Sequence, residues 1–225
     1  MKLLIDDANL AKIQAIYKYY PVDGVTTNPS ILSKCGGDPY RVLAEIRAFI
    51  GQDAELHVQV ISDTAEGMIA EGKKIAASFG KNTYIKIPST PEGFAAMQAL
   101  SAQGYLITAT AIYTPMQAYL AAKSGAHYAA PYVNRIDNLG ADGIETTKTI
   151  QNIFENNGFK TEILAASFKN SQQVQALCEY GVGAATIAPD VIEGLVKNAC
   201  VAAAVADFTK DFEKLCGQGK TMLDC

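Results

Sequence analysis

Eight short runs of β-branched and aliphatic residues, each separated from the next by enough chain for a helix, constrain this 225-residue sequence more than any other feature. They are LLIDD (3–7), GVTTN (24–28), ELHVQV (55–60), TYIKIP (83–88), YLITATAI (105–112), HYAAPYV (127–133), EILAASF (162–168) and AATIAP (184–189). The segments between them carry helix starts and helical period. Asp38-Pro39 reads as an N-cap followed by an N1 proline, with Val42, Ile46, Phe49 and Ile50 sharing a face beyond it. Thr114-Pro115, Ser171 and Asp190 open further helices. Ser89-Thr90-Pro91-Glu92 and Asp63-Thr64-Ala65-Glu66 have capping-box spacing, each followed by glycine. Strand and helix alternating eight times, with strands apolar on both faces, predict an α/β fold: a single (β/α)8 TIM barrel over residues 1–225. A doubly wound open sheet is the alternative. It prefers fewer strands and a glycine-rich first turn, whereas the turn here reads Asp-Asp-Ala-Asn. An extra C-terminal helix, Cys200 to Leu215, carries Val201, Val205, Phe208, Phe212 and Leu215 on one stripe beyond a barrel that is already complete. Residues 200–225 are therefore expected to pack on a neighbouring subunit of a homo-oligomer.

Composition removes several function classes. Nineteen basic residues against 23 acidic ones give a net charge of −4 without a clustered basic face, so nucleic acid is not an expected partner. No apolar run approaches the roughly 20 residues of a bilayer span, and two aspartates interrupt MKLLIDDANL before a signal core forms; a soluble, cytoplasmic protein without a membrane partner is expected. Five cysteines with no C-x-x-C pair read as reduced thiols. His57 and His127 lie too far apart for a local metal motif and read as structural, so neither metal nor other cofactor is expected.

In barrels of this kind the reacting groups stand at the C-terminal ends of the strands. There the apolar runs are interrupted by Asp6, Asn28, Gln59, Lys86, Thr110, Tyr132 and Ser167. Any one of these has a plain structural reading, a bond to a neighbouring strand's backbone. Seven together are costly to bury unless they satisfy one another or a ligand. Lys86 is the sharpest case, since alternation with Ile85 and Ile87 turns it into the barrel. Apolar walls strip its ammonium of water, lower its pKa and free the amine to attack a carbonyl. A buried ion pair with Asp6 is the other reading, and the two are compatible.

All of these but Asp6 sit in longer matching stretches: GVTTNPSI (24–31), QV (59–60), TAEGM (64–68), IKIPST (85–90) with EG (92–93), TATAIY (108–113), APYVNRID (130–137) and LAASFK (164–169). Over nearly its whole length the chain resembles the small transaldolases and fructose-6-phosphate aldolases of the transaldolase superfamily. The resemblance implies a class I mechanism with Lys86 as the Schiff-base lysine, Asp6 as the proton-handling carboxylate, Thr110 and Gln59 holding the catalytic water, and Tyr132 as the acid/base phenol. It further implies that Asn28 binds the dihydroxyacetone unit, that Arg135 and Ser167 hold the substrate phosphate, and that the oligomer is a pentamer or decamer bound to sugar phosphates. Transaldolases resemble one another in having Glu at the position of Gln59 and Phe at that of Tyr132, whereas the aldolase branch has Gln and Tyr. Ala130 also matches the aldolases. Asp7 stands where the family commonly has Thr, and Thr108, near the donor pocket, where aldolases commonly have Leu and transaldolases Asn. The sequence thus points to cleavage and formation of the C3–C4 bond of fructose 6-phosphate. Transfer of the same unit between sugar phosphates, an aldolase for a ketose bearing another anion such as a sulfonate, and a non-catalytic phospho-sugar-binding barrel are the alternatives.

Overall fold

Each of the eight runs forms a strand, and the strands pair in parallel in sequence order until β8 returns to β1. This is seen in a computed structural model that describes residues 1–225. In chain order the elements are β1 (Lys2–Asp6), α1 (Leu10–Tyr19), β2 (Gly24–Thr26), α2 (Pro29–Cys35), α3 (Pro39–Ile50), β3 (Glu55–Gln59), α4 (Ala65–Phe79), β4 (Thr83–Pro88), α5 (Pro91–Ser101), β5 (Leu106–Ile112), α6 (Pro115–Lys123), β6 (Tyr128–Pro131), α7 (Val133–Asp137), α8 (Gly143–Asn156), β7 (Glu162–Ala165), α9 (Ser171–Tyr180), β8 (Ala184–Ile187), α10 (Pro189–Gly194) and α11 (Ala199–Cys216). Closure runs through Lys2↔Ala184 to Ile5↔Ile187, which leaves no free sheet edge and rules out the open sheet.

The two faces of the strands do different work. Ile5, Val25, Leu56, Val58, Ile85, Ile87, Ile107 and Ala109 point outward and form the main core with the helices. Inside the barrel the fill is mixed. Leu4, Tyr128, Ala130, Leu164 and Ala184 form a small apolar cluster against Tyr84, while Thr26, Glu55, His57, Lys86, Thr108 and Thr186 are also buried. The expectation of strands apolar on both faces is thus corrected: the inner face is substantially polar, and most of its groups are hydrogen-bonded.

Several helix details also differ from the sequence reading. On α3 the buried residues are Leu43, Ile46 and Arg47, while Phe49 is exposed and meets Tyr17 edge-on at 5.3 Å. The face turns because the Arg47 guanidinium takes an interior position, donating to the carbonyls of Gly51 (2.7 Å) and Ala54 (2.9 Å) and to Thr83 Oγ1 (3.2 Å). The caps of α4 and α5 are Thr64 and Thr90, each accepting from the backbone N–H of a glycine three residues on. A capping box is impossible there because the third helical residue has no side chain; Glu92 reaches instead to the N–H of Ala65, joining the two helices (2.8 Å). Asn170, not Ser171, caps α9, and α10 starts on Pro189 with Asp190 inside its first turn. Helix α11 buries nothing, and Val201, Val205, Phe208 and Leu215 of its stripe are exposed, with Phe212 partly covered. All five cysteines are free, and no helix is long and apolar enough to cross a membrane.

Gly93 marks a close approach of helix α5 to the end of strand β4 beside the barrel mouth. A Cβ there would overlap the carbonyl oxygen of Pro88, the last residue of β4. Gly93→Ala is therefore expected to lower stability by about 1–3 kcal/mol, the ordinary range for an overpacked site, read as a loss in chemical denaturation midpoint with an unchanged slope.

Candidate active site

Ile85 and Ile87 are fully buried on the outer face, and the alternation they enforce turns Lys86 inward, where it is 5% exposed. Its Nζ donates to the backbone carbonyl of Thr27 at 2.8 Å. Asp6 does not pair with it directly. The carboxylate takes a hydrogen bond from Thr26 Oγ1 at 2.8 Å, and Thr186 Oγ1 lies 2.6 Å from that same threonine oxygen. Because the Thr26 proton is given to Asp6, the Thr186 hydroxyl is the donor of the second bond, so β8, β2 and β1 are tied in series.

Burial pushes the Lys86 pKa down from its ordinary value; the Asp6 carboxylate opposes that shift and the Arg135 guanidinium adds to it. Burial likewise pushes Asp6 up, against the pull of Lys86 and of the Thr26 bond. Both groups are thus displaced toward their neutral forms, the state in which an amine is a nucleophile and a carboxyl group exchanges protons near neutrality.

The remaining residues come from the other strand ends. Register places Gln59 and Thr108 on either side of Lys86 in adjacent strands, so all three share the inner face. Gln59 makes no side-chain hydrogen bond and borders a cleft of about 660 Å³ between α2, α3 and α4. Along β5 the ladder shifts between Ala109 and Ile112, and Ala111 has a left-handed φ of 57°. Alternation from Thr108 puts Thr110 on the inner face, where its hydroxyl lies 2.7 Å from that of Tyr132, and the bulge after it returns Ile112 to the outer core. The Arg135 guanidinium stacks over the Tyr132 ring at 4.6 Å. Ser167 also has positive φ, 61°, and its carbonyl accepts from Asn134 N at 2.9 Å, which draws the end of β7 against the start of α7. Two of the chain's three non-glycine residues with positive φ therefore lie at this mouth. The Asn28 oxygen caps α2 through Ile31 N at 3.0 Å, leaving its amide N–H groups available. Ala130 is buried one layer deeper, on the inner face of β6.

All ten candidate residues thus belong to the inner face or the C-terminal mouth of one barrel, though Ser167 and Gln59 make no side-chain bond. Thr26 and Thr186, which support Asp6, were not singled out in the sequence; counting back two from Asn28 identifies Thr26 as inward-facing. Below the site lies a second unanticipated group. Lys2, Glu55, His57 and Tyr128 are hydrogen-bonded to one another, and His57 bonds Thr108.

A family model described as Transaldolase/Fructose-6-phosphate aldolase matches residues 3–222. A probable transaldolase of Caldicellulosiruptor saccharolyticus is 42% identical over 216 residues, covering 96% of this chain and 98% of that protein. A probable transaldolase of Nitrosopumilus maritimus is 37% identical, covering 96% of each. A probable fructose-6-phosphate aldolase of Streptococcus pneumoniae is 38% identical over 213 residues, covering 94% of this chain and 96% of that protein. Among solved structures, one described as native KDPGal superposes with a TM-score of 0.60 at 13% identity, covering 92% of this chain and 95% of that one, a likeness of fold alone.

The charges around Lys86 make its titration testable without any substrate. With ε-13C-labelled lysine, the Lys86 resonance, identified by its loss in Lys86→Met, is expected to titrate below the ordinary lysine value of about 10.4. Asp6→Asn removes the attraction that supports the ammonium and moves the midpoint lower still. Arg135→Gln removes a repulsion and moves it upward, by less, because Arg135 is exposed. The sign for stability follows: the unfolded lysine binds its proton up to its higher pKa, so the folded protein gains stability as pH rises between the two values and carries the full penalty below both.

Proposed function

The chain belongs to the transaldolase/fructose-6-phosphate aldolase family, and from that we propose that it is a class I aldolase that cleaves and forms the C3–C4 bond of fructose 6-phosphate. The observation that carries the Schiff-base chemistry is the buried Lys86 amine, held by a backbone carbonyl rather than by a carboxylate. Unpaired, it is free to attack the C2 carbonyl of an open-chain ketose. Loss of water from the adduct gives a protonated imine. Asp6 then takes the C4 hydroxyl proton, the C3–C4 electron pair moves into the imine to give an enamine, and glyceraldehyde 3-phosphate leaves. Protonation at C3 regenerates an imine, and a water held by Thr110, Tyr132 and Gln59 hydrolyses it to dihydroxyacetone and the free amine. Asn28 grips the three-carbon unit through its amide. Arg135 and Ser167 hold the phosphate at the mouth, and Thr108 and Ala130 line the donor side.

Release rather than transfer of the three-carbon unit is supported by the Tyr132 hydroxyl at 2.7 Å from Thr110, since a phenol there orients water and exchanges a proton. Transaldolase activity is the second reading, favoured by the names of relatives such as those of C. saccharolyticus and N. maritimus. We further propose a cytoplasmic homo-oligomer, a pentamer or decamer in which residues 200–225 pack on a neighbouring subunit. Its support is the exposed stripe of α11, and removal of those residues is expected to reduce the particle mass seen by light scattering.

Borohydride reduction in the presence of fructose 6-phosphate is expected to leave a three-carbon adduct on Lys86 by mass spectrometry and none in Lys86→Met. An adduct on another lysine overturns the assignment. Tyr132→Phe is expected to slow dihydroxyacetone release by on the order of 10²-fold while transfer to erythrose 4-phosphate falls less. A wild type that transfers efficiently and releases almost no dihydroxyacetone would establish the transaldolase reading instead.

A further inference from the structure

The barrel floor beneath Lys86 holds a fully buried histidine that the reaction scheme does not use. His57 and Thr108 are both 0% exposed. The imidazole stacks on the Tyr84 ring at 4.5 Å with the planes 7° apart, which fixes the direction of its two nitrogens. Nε2 lies 3.2 Å from Glu55 Oε2, and Nδ1 lies 2.8 Å from Thr108 Oγ1. The other carboxylate oxygen, Glu55 Oε1, accepts from Lys2 Nζ at 2.6 Å and from the Tyr128 hydroxyl at 3.2 Å. Thr108 is the direct register partner of Lys86 on the neighbouring strand.

The proton positions follow from this order. Glu55 is surrounded by donors, and although burial pushes its pKa up, the bonds from His57 and Lys2 outweigh burial and leave it below the ordinary value, an ionised acceptor. Burial, only partly opposed by Glu55, lowers the His57 pKa to about 4, so the ring is neutral. A neutral ring facing a carboxylate carries its hydrogen on Nε2, and its bare Nδ1 can only accept. The Thr108 hydroxyl must therefore donate downward to His57, and its lone pairs are what remain on the side of Lys86.

We propose that Glu55 and His57 are positioning residues that hold Thr108 as an acceptor-only oxygen beside the reacting amine, and so select donor ketones carrying a hydroxyl on the carbon next to the carbonyl. The proposal rests on the Schiff-base reading of Lys86. A ligand hydroxyl in this corner donates to Thr108, whereas a ligand with only acceptor or methyl groups leaves the Thr108 lone pairs unsatisfied in a buried place.

Two measurements test it. In 15N-histidine-labelled protein, where only two histidines contribute, the His57 signals, identified by their loss in His57→Phe, are expected to show a protonated Nε2 and a bare Nδ1. The opposite tautomer or an imidazolium overturns the proposal. Half-saturation of borohydride-trapped imine on Lys86 is then compared for dihydroxyacetone and acetone. Thr108→Val is expected to reduce the preference for dihydroxyacetone about ten-fold, the worth of one hydrogen bond. His57→Phe, which keeps the stacked ring, is expected to reduce it in the same direction, and the double variant no further than Thr108→Val alone. An unchanged preference in His57→Phe, or effects that add in the double variant, make His57 a packing residue and overturn the proposal. If His57→Phe does not fold, Glu55→Gln serves, because an amide both donates and accepts and no longer dictates the tautomer. A mixed tautomer with a reduced preference supports the proposal, and an unchanged preference overturns it. No adduct on wild-type Lys86 with either ketone removes the Schiff-base reading itself, an outcome distinct from an adduct whose donor preference ignores these variants.

Discussion

Withdrawal of one ammonium group from water is the constraint around which this barrel is arranged. Lys86 sits among strands whose outward neighbours are isoleucines, and it meets the Thr27 carbonyl instead of a counter-ion. A carboxylate in contact would have stabilised the charged form and quenched the amine. Asp6 is kept electrostatically near but is occupied by Thr26, which is in turn held by Thr186. The arrangement forgoes the stability of a tight ion pair and leaves the Lys86 pKa displaced downward, toward the amine.

The same logic explains why the barrel interior is not the hydrocarbon layer its strands suggest. An uncompensated polar group on the buried floor would be costly, so those there are matched: Glu55 by Lys2, Tyr128 and His57, and His57 by Thr108. The chain of bonds runs from Lys2, whose side chain is half exposed at the N-terminal end of the barrel, to the level of Lys86. A matched interior of this kind holds its hydroxyls in one orientation, which an apolar one lacks the means to do.

Much of this was legible in the sequence because the signals were local. Strand positions follow from the apolar runs, and the ring from Asp6 to Ser167 follows from asking which polar residues interrupt them near their ends. What escapes a sequence reading is what depends on how side chains and carbonyls turn in space, near in the chain as well as far. His57 reads as a structural residue until Glu55 of its own strand is joined by Thr108 and Tyr128 from β5 and β6. Arg47 reads as a surface residue of an amphipathic helix until the carbonyls of Gly51 and Ala54 turn toward it. The caps of α4 and α5 fall one residue later than the spacing rule puts them, because that rule does not register that the third position is a glycine, which in α4 lies close to Ser62 and in α5 to the strand-end carbonyl of Pro88.

The bulge in β5 has a consequence for how such a mouth can vary. Between the pairs Ala109↔Ala129 and Ile112↔Pro131, β5 spends three steps where β6 spends two. The surplus residue, Ala111, does not contribute a side chain to the site; it contributes chain length. Shortening the strand by that one residue would give a regular ladder with Ile112 still opposite Pro131 and still packed outward, so Tyr113 would keep its height while the local bend of β5 was lost. The bend of the chain at the barrel mouth is thereby set by an insertion, a variable independent of residue identity, so it can be gained or lost with a single codon while the outward-facing core is left intact.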